Sequence, residues 1–180
     1  MATLKVPVTP DDHIQGDSNA RITLVEYGDY ECPYCGRAYY SVKNLQARYG
    51  QQLRFVFRNF PLTQIHPYAE PAAETAEFAG AHKHFWEMHD GLYENQDRLG
   101  LGLFFELAES LGLSASSLRR ALTTHQYLDK VRNDFLGGVR SGVNGTPTFF
   151  INNVRHDGSY EFEDLAAAID AHLFRMLAAS

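Results

Sequence analysis

Apolar residues change their spacing several times along this chain, and each change marks an element. Residues 1–20 are polar and interrupted by prolines and a glycine, which predicts an arm carrying one short strand. Ile22-Thr23-Leu24-Val25-Glu26-Tyr27 is a β-branched run of buried-strand length that ends at Gly28. Ala38, Val42, Leu45 and Tyr49 recur at spacings of 4, 3 and 4, the stripe of a helix that Gly50 can end. Leu53, Phe55 and Phe57 then alternate as a second strand, and a strand–helix–strand unit of this length makes the two strands parallel.

From Tyr68 to about Gln126 the pattern is helical, with Pro71 near a first turn and breaks at Gly100-Leu101-Gly102 and at Gly112. Leu128, Val131, Phe135 and Val139 predict one more amphipathic helix, which stops at Ser141-Gly142. Thr148-Phe149-Phe150-Ile151 reads as a strand, turned by Asn152-Asn153 into Val154-Arg155-His156, so the last two strands form an antiparallel hairpin. Phe162, Leu165, Ile169 and Leu173 mark a closing helix. The expectation is one α/β domain over 1–180: an arm at 1–20, a core made of 21–62 and 127–177, and a helical insertion at 63–126. Its small mixed sheet is covered by helices on both faces.

Composition narrows the partners. The 16 Lys and Arg are scattered among 22 Asp and Glu, which argues against a nucleic-acid surface. No apolar run approaches a membrane span, and the first twenty residues lack a signal-peptide core, so no membrane insertion is expected. As written the chain is expected in the cytosol; removal of a leader from a longer precursor would place it in the periplasm or another extracytoplasmic space.

The chemistry concentrates in Cys32-Pro33-Tyr34-Cys35, which contains both cysteines of the chain. A cysteine at a helix start faces unpaired backbone N–H groups and the positive dipole end, which stabilise its thiolate. Pro33 suits the first helical turn, and Cys35, three residues on, returns to the same face to resolve a mixed disulfide formed on Cys32. A structural disulfide closing so short a loop contributes only about 2 kcal/mol. Zinc needs four ligands, and His82, His84 and His89, the local histidine cluster, do not share one helix face; they read as a solvated face, and no metal site or cofactor is assigned. Thr146-Pro147 precedes a strand, so it is either an ordinary trans-proline or a cis bond that turns Thr146 backbone groups toward a substrate chain. Glu26, six residues before Cys32, either faces outward or is buried with a raised pKa, suited to exchange a proton with Cys35. Tyr30, Tyr34 and Phe60 are candidates to frame an apolar peptide groove, Phe60 equally a core position.

Val25 through Cys35 resembles the start of the DsbA-like thioredoxin-fold proteins, and Gly145-Thr146-Pro147-Thr148-Phe149-Phe150-Ile151 resembles their cis-proline strand. The chain is similar in particular to the bacterial branch that lacks a leader or is fused to a sodium/proton antiporter, whose Phe85-Trp86-Glu87-Met88-His89-Asp90 helix has a counterpart here. The resemblance implies a thioredoxin fold with a helical insertion between its βαβ and ββα units. It also implies that Cys32 is an exposed nucleophile, Cys35 a buried resolving thiol, Pro147 cis, Thr146 a substrate contact and Glu26 a buried acid. Protein thiols and disulfides are the implied partners, with glutathione or a thioredoxin-type protein as redox partner. DsbA itself carries histidine where this chain has Tyr34, so weaker thiolate stabilisation and a potential of about −200 to −230 mV, the glutaredoxin range, are expected. Two other readings of the cysteine pair are a glutathione-linked transferase or isomerase on a related fold, and a metal or iron–sulfur carrier.

Overall fold

The computed structural model describes residues 2–178. Five strands, β1 (His13–Gln15), β2 (Ile22–Gly28), β3 (Leu53–Asn59), β4 (Thr148–Ile151) and β5 (Val154–Arg155), form one sheet in the order β1-β3-β2-β4-β5. β2 and β3 run parallel, and the other pairings are antiparallel. The helices are α1 (Pro33–Tyr49), α2 (Ala69–Ala81), α3 (Phe85–Glu94), α4 (Leu101–Ser110), α5 (Ala115–Thr123), α6 (Leu128–Arg140) and α7 (Phe162–Ala178). Four of them, α2 to α5, lie between β3 and α6 in the chain. This is a mixed α/β thioredoxin-type fold. Among the described residues, no helix is long and apolar enough to cross a membrane.

Side-chain alternation sends β2 and β3 into two cores. Ile22, Leu24, Leu53, Phe55 and Phe57 join the large cluster with α1, α3 and α7. Val25, Tyr27 and Val56 face a smaller cluster with Phe60, Val143 and Phe150. Both faces of the central strands are thus covered, so Arg58 is buried on a strand whose alternation predicts only one apolar face. α1 buries the predicted stripe of Ala38, Val42, Leu45 and Tyr49 and ends at Gly50, which takes φ 51° without the penalty of a Cβ. Asn152 and Asn153 both adopt positive φ, 46° and 69°, the geometry that a two-residue hairpin turn demands.

Three expectations change. In α6 the buried face is Leu128, Val131, Asp134, Gly137 and Gly138, while Val139 is 50% exposed. The helix turns this way because a Cβ on Gly138 would meet Phe60 at 2.7 Å and Tyr27 at 3.0 Å, and because Asp134 accepts from the Asn59 backbone at 3.1 Å. Gly102 lies inside α4 and does not interrupt it. The histidines do not form a solvated helix face: His82 and His84 precede α3, and His89 is buried among Tyr30, Phe57 and Tyr93.

Candidate active site

Cys32 is the N-cap of α1, with extended backbone (φ −71°, ψ 121°) and no side-chain cap of its own, and exposed Pro33 occupies the first turn. The α1 amides of Tyr34 and Cys35 therefore point at its sulfur. Asp29 shapes the approach to the helix. Its Oδ1 accepts from the backbone N–H of Glu31 at 2.8 Å and of Cys32 at 3.2 Å, and its Oδ2 accepts from Leu62 N–H and pairs with His66 Nδ1, both at 2.8 Å. Gln96 Nε2 donates to the carbonyls of Tyr30 at 2.7 Å and Cys32 at 2.9 Å, holding the same segment from the helical side. Sequence reasoning missed both residues. An aspartate accepting two residues ahead is a local turn motif and was detectable; His66 and Gln96 carry no local signal.

Across the sheet, the loop before β4 brings the cis Thr146–Pro147 peptide to Cys32, whose Sγ–H donates to the Thr146 carbonyl at 3.4 Å. Both cysteines are free thiols within hydrogen-bonding reach of each other. Cys32 is 3% exposed, which corrects the exposed nucleophile that the resemblance implies. Thr146 and Pro147, half-buried, reach the sulfur's side of the helix end and share that cover. Tyr34 is 52% exposed beside Tyr160, with the Arg37 guanidinium over its ring at 4.9 Å. Tyr30 and Phe60 do not frame a groove. Tyr30 hydrogen-bonds His89 Nδ1 at 3.0 Å inside the core, and Phe60 stacks on Phe135 at 4.3 Å.

The two sulfurs sit in opposite electrostatic settings. The Cys35 thiol's hydrogen bond lowers the Cys32 pKa against the opposing effect of burial; the Cys35 and Tyr34 amides add to it, and the result is about 6. Burial pushes Cys35 well above the usual thiol range, helped by its hydrogen bond to Cys32 and by the charges of Glu26 and Cys32, with an Asp29 backbone contact opposing. Glu26 is 2% exposed, on the large-core face of β2 between Phe57 and Phe149 in the strand register. Burial first, then the Cys32 charge, raises it to about 8. Its Oε1 is buried without a hydrogen-bond partner among the described residues. Of the residues singled out from sequence, Cys32, Cys35, Glu26, Thr146 and Pro147 come together; Pro33 and Tyr34 form the solvent side.

The chain belongs to the thioredoxin family, which matches residues 8–171, and its fold is the DsbA-like form. It is 46% identical over 167 residues to the Na(+)/H(+) antiporter NhaA 1 of Salinispora arenicola, covering 92% of this chain and 26% of that protein. A Mycobacterium sp. protein of the same name is 39% identical over 94% of this chain and 28% of its own length. The chain thus spans about a quarter of the length of the curated relatives it matches, in keeping with the antiporter-associated branch. Among solved structures, oxidised BdbD from Bacillus subtilis superposes with a TM-score of 0.85 at 22% identity, covering 96% of this chain and 98% of that one. α-DsbA1 from Wolbachia pipientis gives 0.81 at 21% identity, covering 98% of both.

Proposed function

We propose that the chain is a thiol:disulfide oxidoreductase acting on protein thiols and disulfides through Cys32-Pro33-Tyr34-Cys35. The observation that carries this reading is the placement of the two sulfurs: Cys32 caps α1 against the cis Thr146–Pro147 loop with Cys35 fully buried beside it, an asymmetry that lowers the Cys32 pKa to about 6 and raises that of Cys35. At neutral pH Cys32 is largely a thiolate. It attacks one sulfur of a substrate disulfide, the substrate S–S bond breaks, and a substrate thiolate leaves. Cys35 then gives up its proton, with Glu26 as the acceptor beneath it, and attacks Cys32; the Cys32–Cys35 bond forms, the second substrate thiolate departs, and the substrate has gained two electrons. In reverse, protonated Glu26 returns a proton to the departing Cys35. In the dithiol, burial and the Cys32 charge raise the Glu26 pKa to about 8, so the carboxyl is mostly protonated at pH 7. Thr146 and Pro147 offer main-chain contacts to an extended substrate, because ionisation of Cys32 removes the S–H that the Thr146 carbonyl accepts and frees that carbonyl for a substrate N–H.

A Cys32 pKa near 6 lies between thioredoxin at about 7 and DsbA at about 3.5, which supports a potential near the glutaredoxin range of about −200 to −230 mV. In a cytosol poised at or below that range, the chain works mainly as the dithiol; in an oxidising compartment it works as an oxidant. The cluster-carrier reading is disfavoured by Cys35, which is 0% exposed and cannot lend its sulfur to a cluster shared between chains.

The test is insulin reduction with mixed-disulfide trapping. Cys32→Ser abolishes exchange, and Cys35→Ser accumulates substrates covalently bound to Cys32. Turnover without Cys32 refutes the assignment, and a glutathione titration giving about −120 mV refutes the potential.

A further inference from the structure

One buried carboxyl of the helical segment is unused by the dithiol chemistry. Glu74 lies on α2 and is 1% exposed. Its Oε1 is 2.9 Å from His125 Nδ1, and its Oε2 is buried with no hydrogen-bond partner among the described residues. Glu70 stands one turn earlier on the same helix face, and the turn between α5 and α6 carries His125 across to it. One ligand atom from each of Glu70, Glu74 and His125 lies within 4.8 Å of the other two. His125 is exposed and Glu70 half-buried, so the cluster opens to solvent on one side.

We propose that Glu70, Glu74 and His125 form a divalent transition-metal site of the zinc type, which ties α2 to the turn between α5 and α6. The orphan oxygen belongs to the same carboxyl that faces the other two ligands, and an ion pair with His125 satisfies only one of its oxygens. A cation bound by both carboxylates offsets the like charges that burial otherwise penalises. Two carboxylates and one imidazole suit borderline ions, whereas calcium takes 6–8 oxygen ligands and this cluster offers at most four. Three protein ligands leave room for water at a fourth position.

Zn²⁺ titrated into the full chain with the Cys32–Cys35 disulfide formed tests this, because no thiol then competes. One equivalent binds saturably and raises the thermal midpoint, and His125→Ala and Glu70→Gln each weaken binding at least about tenfold while circular dichroism shows an unchanged fold. Three results overturn the proposal: no saturable binding up to about 1 mM Zn²⁺, unchanged affinity in both variants, or Ca²⁺ bound as tightly as Zn²⁺.

Discussion

Glu26 and Arg58 sit on neighbouring central strands, on opposite faces of one sheet, at 2% and 3% exposure. Arg58 faces the smaller core and uses all five guanidinium hydrogens. Nε and Nη2 donate to the two Asp12 oxygens at 2.8 and 2.9 Å, Nη1 to the Val6 carbonyl and Tyr27 hydroxyl at 2.9 Å, and Nη2 also to the Pro7 carbonyl at 2.9 Å. Glu26 faces the larger core and leaves Oε1 unpartnered. The pKa of each is raised, for opposite reasons. Hydrogen bonds and charge from Asp12 and Tyr27 outweigh burial and hold Arg58 ionised, while burial holds Glu26 protonated to about pH 8. A buried charge that is fully paired fastens the arm to the sheet. A buried acid left unpaired is a proton store beside Cys35.

Removing the paired charge has the largest effect. Arg58→Met leaves Asp12 buried without its cation and costs about 3–5 kcal/mol in urea unfolding; adding Asp12→Leu recovers most of it. A loss under about 1 kcal/mol would put the pair with ordinary surface ion pairs. Removing the unpaired acid does the reverse. The Glu26 pKa is raised from 4.5 to about 8 on folding, so between those values the native state binds more protons than the unfolded state and stability falls as pH rises. Glu26→Gln accordingly gains on the order of 3–4 kcal/mol at pH 7 and almost nothing at pH 4. A difference that stays flat across that range contradicts the proton store.

Smaller effects sharpen the comparison at the thiols. Alkylation of Cys32 by iodoacetamide rises through a midpoint near pH 6, and Cys35→Ala moves that midpoint up by about one unit, because the Cys35 hydrogen bond is the largest stabiliser of the thiolate. An unmoved midpoint assigns the stabilisation to the helix amides alone. The smallest change is Gln96→Ala, which loses two hydrogen bonds to the segment before α1 and costs about 1–2 kcal/mol in urea unfolding.

By itself the sequence determined the features that live within a short window: the alternation in β2 and β3, the apolar stripe of α1, the two-asparagine turn, and two thiols spaced to share one helix face. Strand pleat, helix period and turn geometry repeat over two to four residues, so a local pattern suffices to read them. Tertiary structure alone decided which way Glu26 faces, that Arg58 meets Asp12 46 residues away, that Tyr30, Phe60 and His89 are core, that Gln96 grips the Cys32 segment, and that His125 reaches Glu74. Those outcomes depend on which elements the chain folds against one another. Burial then sets the local dielectric, and through it the charge each group carries, so two identical cysteines acquire different chemistry only once the sheet and helices have closed around them.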